Sequence, residues 1–231
     1  MPFPCLFSEL KSNNKNLILK VSWDWNWFIN LGNVSFPGSI EKEYLCDPNP
    51  DREISSFDKC DKEMIDNAIK IIQDDFDLLF VYFISIDGAG HLFNFCSSEY
   101  IERISIINSY IEEIFNELKN KKLLENTHIV LTTDHGASYM KKWHGFQDDD
   151  NLITPFYMVG PGVKRNYELT KYIQTKDVAS TIMHLFGYRS NPIWTGKVIE
   201  EAFENSVNKV KESYYYNTAQ LYQKLKFLNL D

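Results

Sequence analysis

Five side chains of the kinds that hold metal ions fall at three separated points of the sequence. Asp87 and His91 lie in Ile86-Asp87-Gly88-Ala89-Gly90-His91. Asp134 and His135 lie in Thr132-Thr133-Asp134-His135-Gly136, and His144 in Trp143-His144-Gly145. Carboxylate and imidazole together suit zinc or manganese better than calcium, which takes an all-oxygen shell. Two such ions bridging the reacting oxygens of a phosphoryl or sulfuryl group make a hydrolytic centre. Each piece alone has a plainer reading. Residues 87–91 read equally as an Asp-Gly turn with a surface histidine, residues 134–136 as turn or cap chemistry, and His144 as a lone structural or exposed histidine. The conjunction points to chemistry. Three of the five histidines of the chain fall in these motifs, two of them beside acids that follow apolar runs.

Those apolar runs must position the ligands. Leu78–Ile86 is almost wholly apolar, rich in aromatic and β-branched types, and predicts a central strand covered on both faces. Gly88 and Gly90 then let the chain turn sharply, so that His91 folds back toward Asp87. His128–Thr133 predicts the next strand, followed by a long polar loop from Asp134 to Asn151. Further strands are expected at Leu17–Val21 and Phe156–Val159, the latter closed by Gly160-Pro161-Gly162. Residues Asn33–Asp51, rich in Pro, Gly and acids, read as a loop.

Helices are expected between the strands. Asp58 or Asp61 caps one running to about Gln73. Ser97 or Ser98 caps a long one with a buried stripe of Ile101, Ile104, Ile107, Ile111, Ile114 and Leu118. Thr175 caps a third over Lys176–Phe186, stopped by Gly187. Strand–helix alternation implies one α/β domain over residues 1–199, with a mostly parallel central sheet and helices on both faces. A C-terminal helical tail over 200–231, bearing Tyr214, Tyr215, Tyr216, Leu221, Leu225 and Leu228, is expected to pack on the domain or on a partner.

A length of 231 residues and 44% hydrophobic content suit such a domain. The net charge of −8 argues against a nucleic acid duplex as partner. It leaves room for a small phosphate-ester substrate, because divalent ions reverse the local potential. The opening Met1-Pro2-Phe3-Pro4 does not begin a signal peptide, and the longest apolar run is too short for a transmembrane segment. These features leave the compartment open. The four cysteines form no Cys-x-x-Cys pair and read as ordinary thiols. Cys46 and Cys60, which flank a Pro/Asp-rich loop, are the pair an oxidising compartment could join.

With these motifs in view, Leu78 to Lys197 resembles the C-terminal half of the alkaline phosphatase superfamily. The branch it is most similar to is the type I phosphodiesterase/nucleotide pyrophosphatase group. The resemblance is carried by Asp87-x-x-x-His91, Thr133-Asp134-His135-Gly136 and His144-Gly145. Thr154-Pro155-Phe156, Gly160-Pro161-Gly162, the helix Asp177–Leu185 before Gly187, and Trp194-x-Gly196-Lys197 add to it. Ala137 stands where relatives often carry a second glycine.

The resemblance implies a phosphoric ester hydrolase with two divalent metal ions, zinc first and manganese second. Asp87, His91 and His144 would hold one ion, and Asp134 and His135 the other. It also implies a further Asp and a Thr or Ser nucleophile from upstream. Pro4–Lys11 looks like the segment that follows the nucleophile in relatives, so the domain is expected to be truncated at its N-terminus. Ser22, Ser55, Ser56 and Thr132 stand in no recognisable nucleophile context, and Asp24 between Trp23 and Trp25 is a further candidate ligand. The chain by itself is then expected to turn over little, and an exposed sheet edge would favour homo-oligomers. The alternative is a non-catalytic relative that binds metal or a partner protein.

Overall fold

A computed structural model describes residues 4–23, 42–46 and 53–204. In chain order the elements are α1 (Leu6–Asn13), β1 (Leu19–Trp23), β2 (Lys42–Leu45), α2 (Ile54–Ile72), β3 (Leu78–Val81) and α3 (Ser85–Phe93). They continue with α4 (Ser98–Asn120), β4 (Ile129–Thr132), α5 (Asp149–Leu152), β5 (Phe156–Val159) and α6 (Thr175–Leu185).

Strand β1 shows how the layers form. Successive side chains of a strand point to opposite faces. Leu19 and Val21 are fully buried against Phe7 and Leu10 of α1 and Met183 of α6. Lys20 and Ser22 point the other way. The Ser22 hydroxyl donates to the Met64 carbonyl of α2 at 3.0 Å, and Lys20 reaches Asp74 at 2.7 Å. Helices therefore cover both faces, as expected. On either side of β1, β2 and β3 pair in parallel.

Several expectations need correction. Residues 42–45 form a parallel strand rather than a loop. Their charged composition, Lys42-Glu43-Tyr44-Leu45, hid a strand that, among the described residues, pairs with β1 alone. Strands β4 and β5 make a separate antiparallel pair. Among the described residues no ladder joins them to β3, so Leu78 and His128 do not start neighbouring strands of one sheet. Cys46 and Cys60 form a disulfide and are not free thiols. On α4, Ser97 is the cap and accepts from the Tyr100 amide. Its inward stripe is rotated, however. Ile101 and Ile104 are exposed, and the buried Arg103 pairs with Asp58 of α2 at 2.7 Å. A hydrophobic template cannot foresee an inward arginine whose partner lies on another helix. Helix α2 begins at Ile54, ahead of both expected caps. The tail beyond Glu204 lies outside the described residues. Before it, Phe203 makes a bridge to Val163.

The correction that matters most for function concerns Leu78–Ile86. The strand stops at Val81, and a helix starts at Ser85. An apolar run alone does not separate a buried strand from a strand running into a buried helix. The two glycines also serve another purpose than a turn. A Cβ on Gly88 would meet the ring of the buried Phe57, and one on Gly90 the ring of the buried Phe95. They let α3 lie directly against its neighbours. Gly90→Ala should therefore destabilise the protein by about 1–3 kcal/mol, outweighing the helix propensity alanine adds. Urea unfolding measures this, and an unchanged midpoint would show that α3 can shift freely.

Candidate metal centre

Helix α3 carries Asp87 and His91 one turn apart on the same face. The loop after β4 carries Asp134, His135 and His144. That loop folds back on itself. Gly136 donates its amide to the Asn151 carbonyl at 2.9 Å, and a Cβ at Gly136 would strike the Asp150 carbonyl. The buried Asn151 side chain accepts from the Gly145 amide at 3.0 Å and donates to Ser138 and Asp148. Gly145 itself sits at φ +90°, a conformation that favours glycine. The loop is also sewn to the end of α3. Phe95 donates its amide to the Lys141 carbonyl at 2.8 Å, and Met140 donates to Phe95 at 3.0 Å. Ser138, Asn151 and Phe95 were not singled out from the sequence, and nothing in their local pattern marks them.

The folding brings the expected residues together. His91 Nε2 lies 3.3 Å from Asp87 Oδ2 and 3.2 Å from His144 Nε2. His144 Nε2 is 3.6 Å from Asp87 Oδ1. The His135 ring stacks on the His144 ring at 3.6 Å, and His135 Nε2 is 3.7 Å from Asp134 Oδ2. Asp87, His135 and His144 each offer one ligand atom, all within 4.8 Å of one another. His135 thus stands with Asp87 and His144, as well as beside Asp134. The two remaining histidines are elsewhere: His128 bonds the Pro161 carbonyl, and His184 packs on Phe203.

Protons decide what this cluster can bind. His91 Nδ1 lies 2.6 Å from the Lys142 carbonyl, and His135 Nδ1 lies 3.0 Å from the Gly136 carbonyl. A carbonyl only accepts, so both Nδ1 atoms carry the proton, and Nε2 is the atom each ring turns toward the cluster as a ligand. Burial first, and then the neighbouring His135, lowers the pKa of His144, against the pull of Asp87. That favours a neutral His144 imidazole. Asp87 Oδ1 is buried with no hydrogen-bond partner. Converging lone pairs and an orphaned carboxylate oxygen are the donor set a divalent cation satisfies, so the residues fit a metal ion.

Of the hydroxyls weighed as nucleophiles, Ser22 is buried and donates to a carbonyl, and Ser56 donates to Glu53 at the start of α2. Thr132 donates to the adjacent Thr133 carbonyl. Asp24 and Trp25 lie outside the described residues.

The fold is that of the alkaline phosphatase superfamily. A protein of Bacteroides thetaiotaomicron provisionally described as a sulfatase superposes with TM-score 0.67. It matches 91% of this chain and 58% of its own, at 14% identity. More narrowly, the chain belongs to the type I phosphodiesterase / nucleotide pyrophosphatase family, whose model matches residues 20–190. It is 33% identical over 131 residues to GPI ethanolamine phosphate transferase 1 of Yarrowia lipolytica, covering 55% of this chain and 13% of that protein. It is 26% identical over 98 residues to an extracellular sulfatase SULF-1 homolog of Drosophila melanogaster, covering 41% of this chain and 9% of that protein. The chain spans only a small part of the length of these curated relatives.

Removing one of the converging ligands should cost most of the metal affinity. His144→Ala and Asp87→Asn are expected to weaken zinc binding by roughly 100-fold or more, beyond the effect of typical outer-shell changes. Wild-type affinity should fall progressively below about pH 6, where protons compete for the imidazoles. Isothermal titration across pH reads both effects. Unchanged stoichiometry and affinity in both variants would make the cluster structural.

Proposed function

We propose that this chain carries the metal-binding part of a phosphoric ester hydrolase of the phosphodiesterase type, working with two divalent ions, zinc in preference to manganese. The observation that carries the reading is the orphaned Asp87 Oδ1 facing imidazoles whose lone pairs are freed by backbone carbonyls. Family membership supports the reaction class. In this proposal Asp87, His91 and His144 hold one ion. Asp134 and His135 hold the other, and His135 is near enough to Asp87 and His144 to join the first set. A divalent ion supplies charge stabilisation on the phosphoryl oxygens.

The chain's own residues prepare the place. Lys142 and Gly136 carbonyls keep His91 and His135 in the metal-accepting tautomer. The Asn151 brace holds the backbone beside His144. All four of Asp87, His91, His135 and His144 remain partly open to solvent, so a small phosphate ester can approach them. None of the hydroxyls at Ser22, Ser56 and Thr132 faces the cluster as an attacking group; each donates to a backbone carbonyl.

A non-catalytic reading rests on the absence of a suitable hydroxyl among those weighed above. Hydrolysis of a chromogenic phosphodiester, with zinc or manganese added, separates the two. It should be run on the 231 residues and on a protein carrying any upstream coding sequence. We expect little turnover from the 231 residues and metal-dependent turnover from the longer protein, reduced at least about 100-fold by His144→Ala. Strong turnover by the shorter protein, abolished by His144→Ala, would put the nucleophile within it. A longer protein that binds zinc without hydrolysis would favour the non-catalytic reading. Faster turnover of a chromogenic sulfate ester would reassign the substrate class.

A further inference from the structure

One buried charge lies away from the metal ligands and has no part in holding an ion. Asp61 sits in the middle of α2 and is 1% exposed. Both of its oxygens are engaged. Oδ1 accepts from the Ile84 amide at 2.8 Å and Oδ2 from the Ser85 amide at 3.0 Å. These are the first amides of α3, the helix that carries Asp87 and His91. The first amides of any helix lack partners within it. Here the local residue at the cap position, Ile84, has no side chain able to serve.

The helix is short and has two glycines within its nine residues, so its intrinsic stability is low. Its position depends on outside contacts. At one end Asp61 holds two amides. In the middle Gly88 rests on Phe57, one turn before Asp61 on the same helix. At the far end Lys142 donates to the Leu92 carbonyl at 2.7 Å. Asp61 is itself anchored, because its neighbour Cys60 is bonded to Cys46 at the end of β2. Burial pushes the Asp61 carboxyl up to about 6, against the hydrogen bonds from Ser85 and Ile84. At neutral pH it is therefore mostly ionised, and the helix N-terminus faces an anion.

We propose that Asp61 is a positioning residue for the metal centre: by capping α3 from a neighbouring helix, it sets where Asp87 and His91 stand. This rests on the metal-site reading given above. Ser85 is only two residues before Asp87, so a rotation or slide of the first turn moves the Asp87 carboxylate directly. Asp61→Asn retains one acceptor but turns an NH2 group toward the other amide, and Asp61→Ala removes both acceptors.

The test compares wild type, Asp61→Asn, Asp61→Ala and Met183→Ala. Met183 is fully buried in the core on the opposite face of the sheet and controls for loss of stability alone. Two quantities are read: cobalt(II) affinity with its visible absorption bands, and the ring 15N resonances of His91 and His144 in metal-free protein. Both Asp61 variants should weaken cobalt binding at least about tenfold, in the range of outer-shell changes. They should also alter the bands and shift the His91 ring resonances. Met183→Ala should lower the melting temperature and leave binding, bands and rings within error of wild type. If Asp61→Ala does not fold, Asp61→Asn decides by the same readouts. Wild-type affinity, bands and ring resonances in Asp61→Asn would overturn the proposal. So would equal changes in Met183→Ala. If wild type binds no cobalt, the metal-site reading fails, and the ring resonances alone judge Asp61.

Discussion

Two hydrogen bonds from imidazole to backbone carbonyl, His91 to Lys142 and His135 to Gly136, govern what the cluster is. Without them each ring could place its proton on Nε2 and donate an ordinary hydrogen bond to Asp87 or Asp134. With them the lone pairs converge, and Asp87 Oδ1 is left without a donor. A buried carboxylate oxygen without a donor is electrostatically costly, since buried polar atoms are normally satisfied. Both carbonyls belong to the loop after β4, so the tautomers hold only while that loop keeps its fold. The loop keeps its fold through Asn151, Ser138 and the exchange of backbone bonds with Phe95. The chemistry is thus built from a loop, and the loop depends on residues with no chemistry of their own.

The residues of the candidate cluster were more legible in the sequence than the scaffold that gathers them. Asp87, His91, Asp134, His135 and His144 stood out by residue type and by the apolar runs before them, and all five meet in space. Helices on both faces of a parallel sheet were legible from alternation, and Phe156–Val159 and the Ser97 cap fell where their patterns put them. What escaped has a common cause. The start of α3 depends on Asp61, which lies 23 residues earlier in the chain. The inward face of α4 depends on Asp58 pairing with Arg103, 45 residues away. The Asn151 brace likewise needs partners that only folding supplies. Local pattern records propensity and amphipathicity; it does not record a polar contact between distant segments.

The similar proteins include an extracellular sulfatase homolog and a GPI ethanolamine phosphate transferase, two different activities by name. The chain's likeness to those proteins is confined to a small share of their length. Substrate choice in such folds rests with loops outside the shared frame.

The glycine contacts of α3 carry a consequence for how this centre can diversify. One wall of the cluster is the helix bearing Asp87 and His91, seated so closely on Phe57 and Phe95 that one added carbon at Gly88 or Gly90 would strike a ring. That wall behaves as a fixed jaw. The opposite wall is the loop bearing His144, where Tyr139, Trp143 and Phe146 project into solvent and pack little against the core. Substitutions there can change what the centre touches without moving α3. Divergence in specificity among descendants of this chain should accumulate on the loop jaw, while the helix jaw stays nearly invariant.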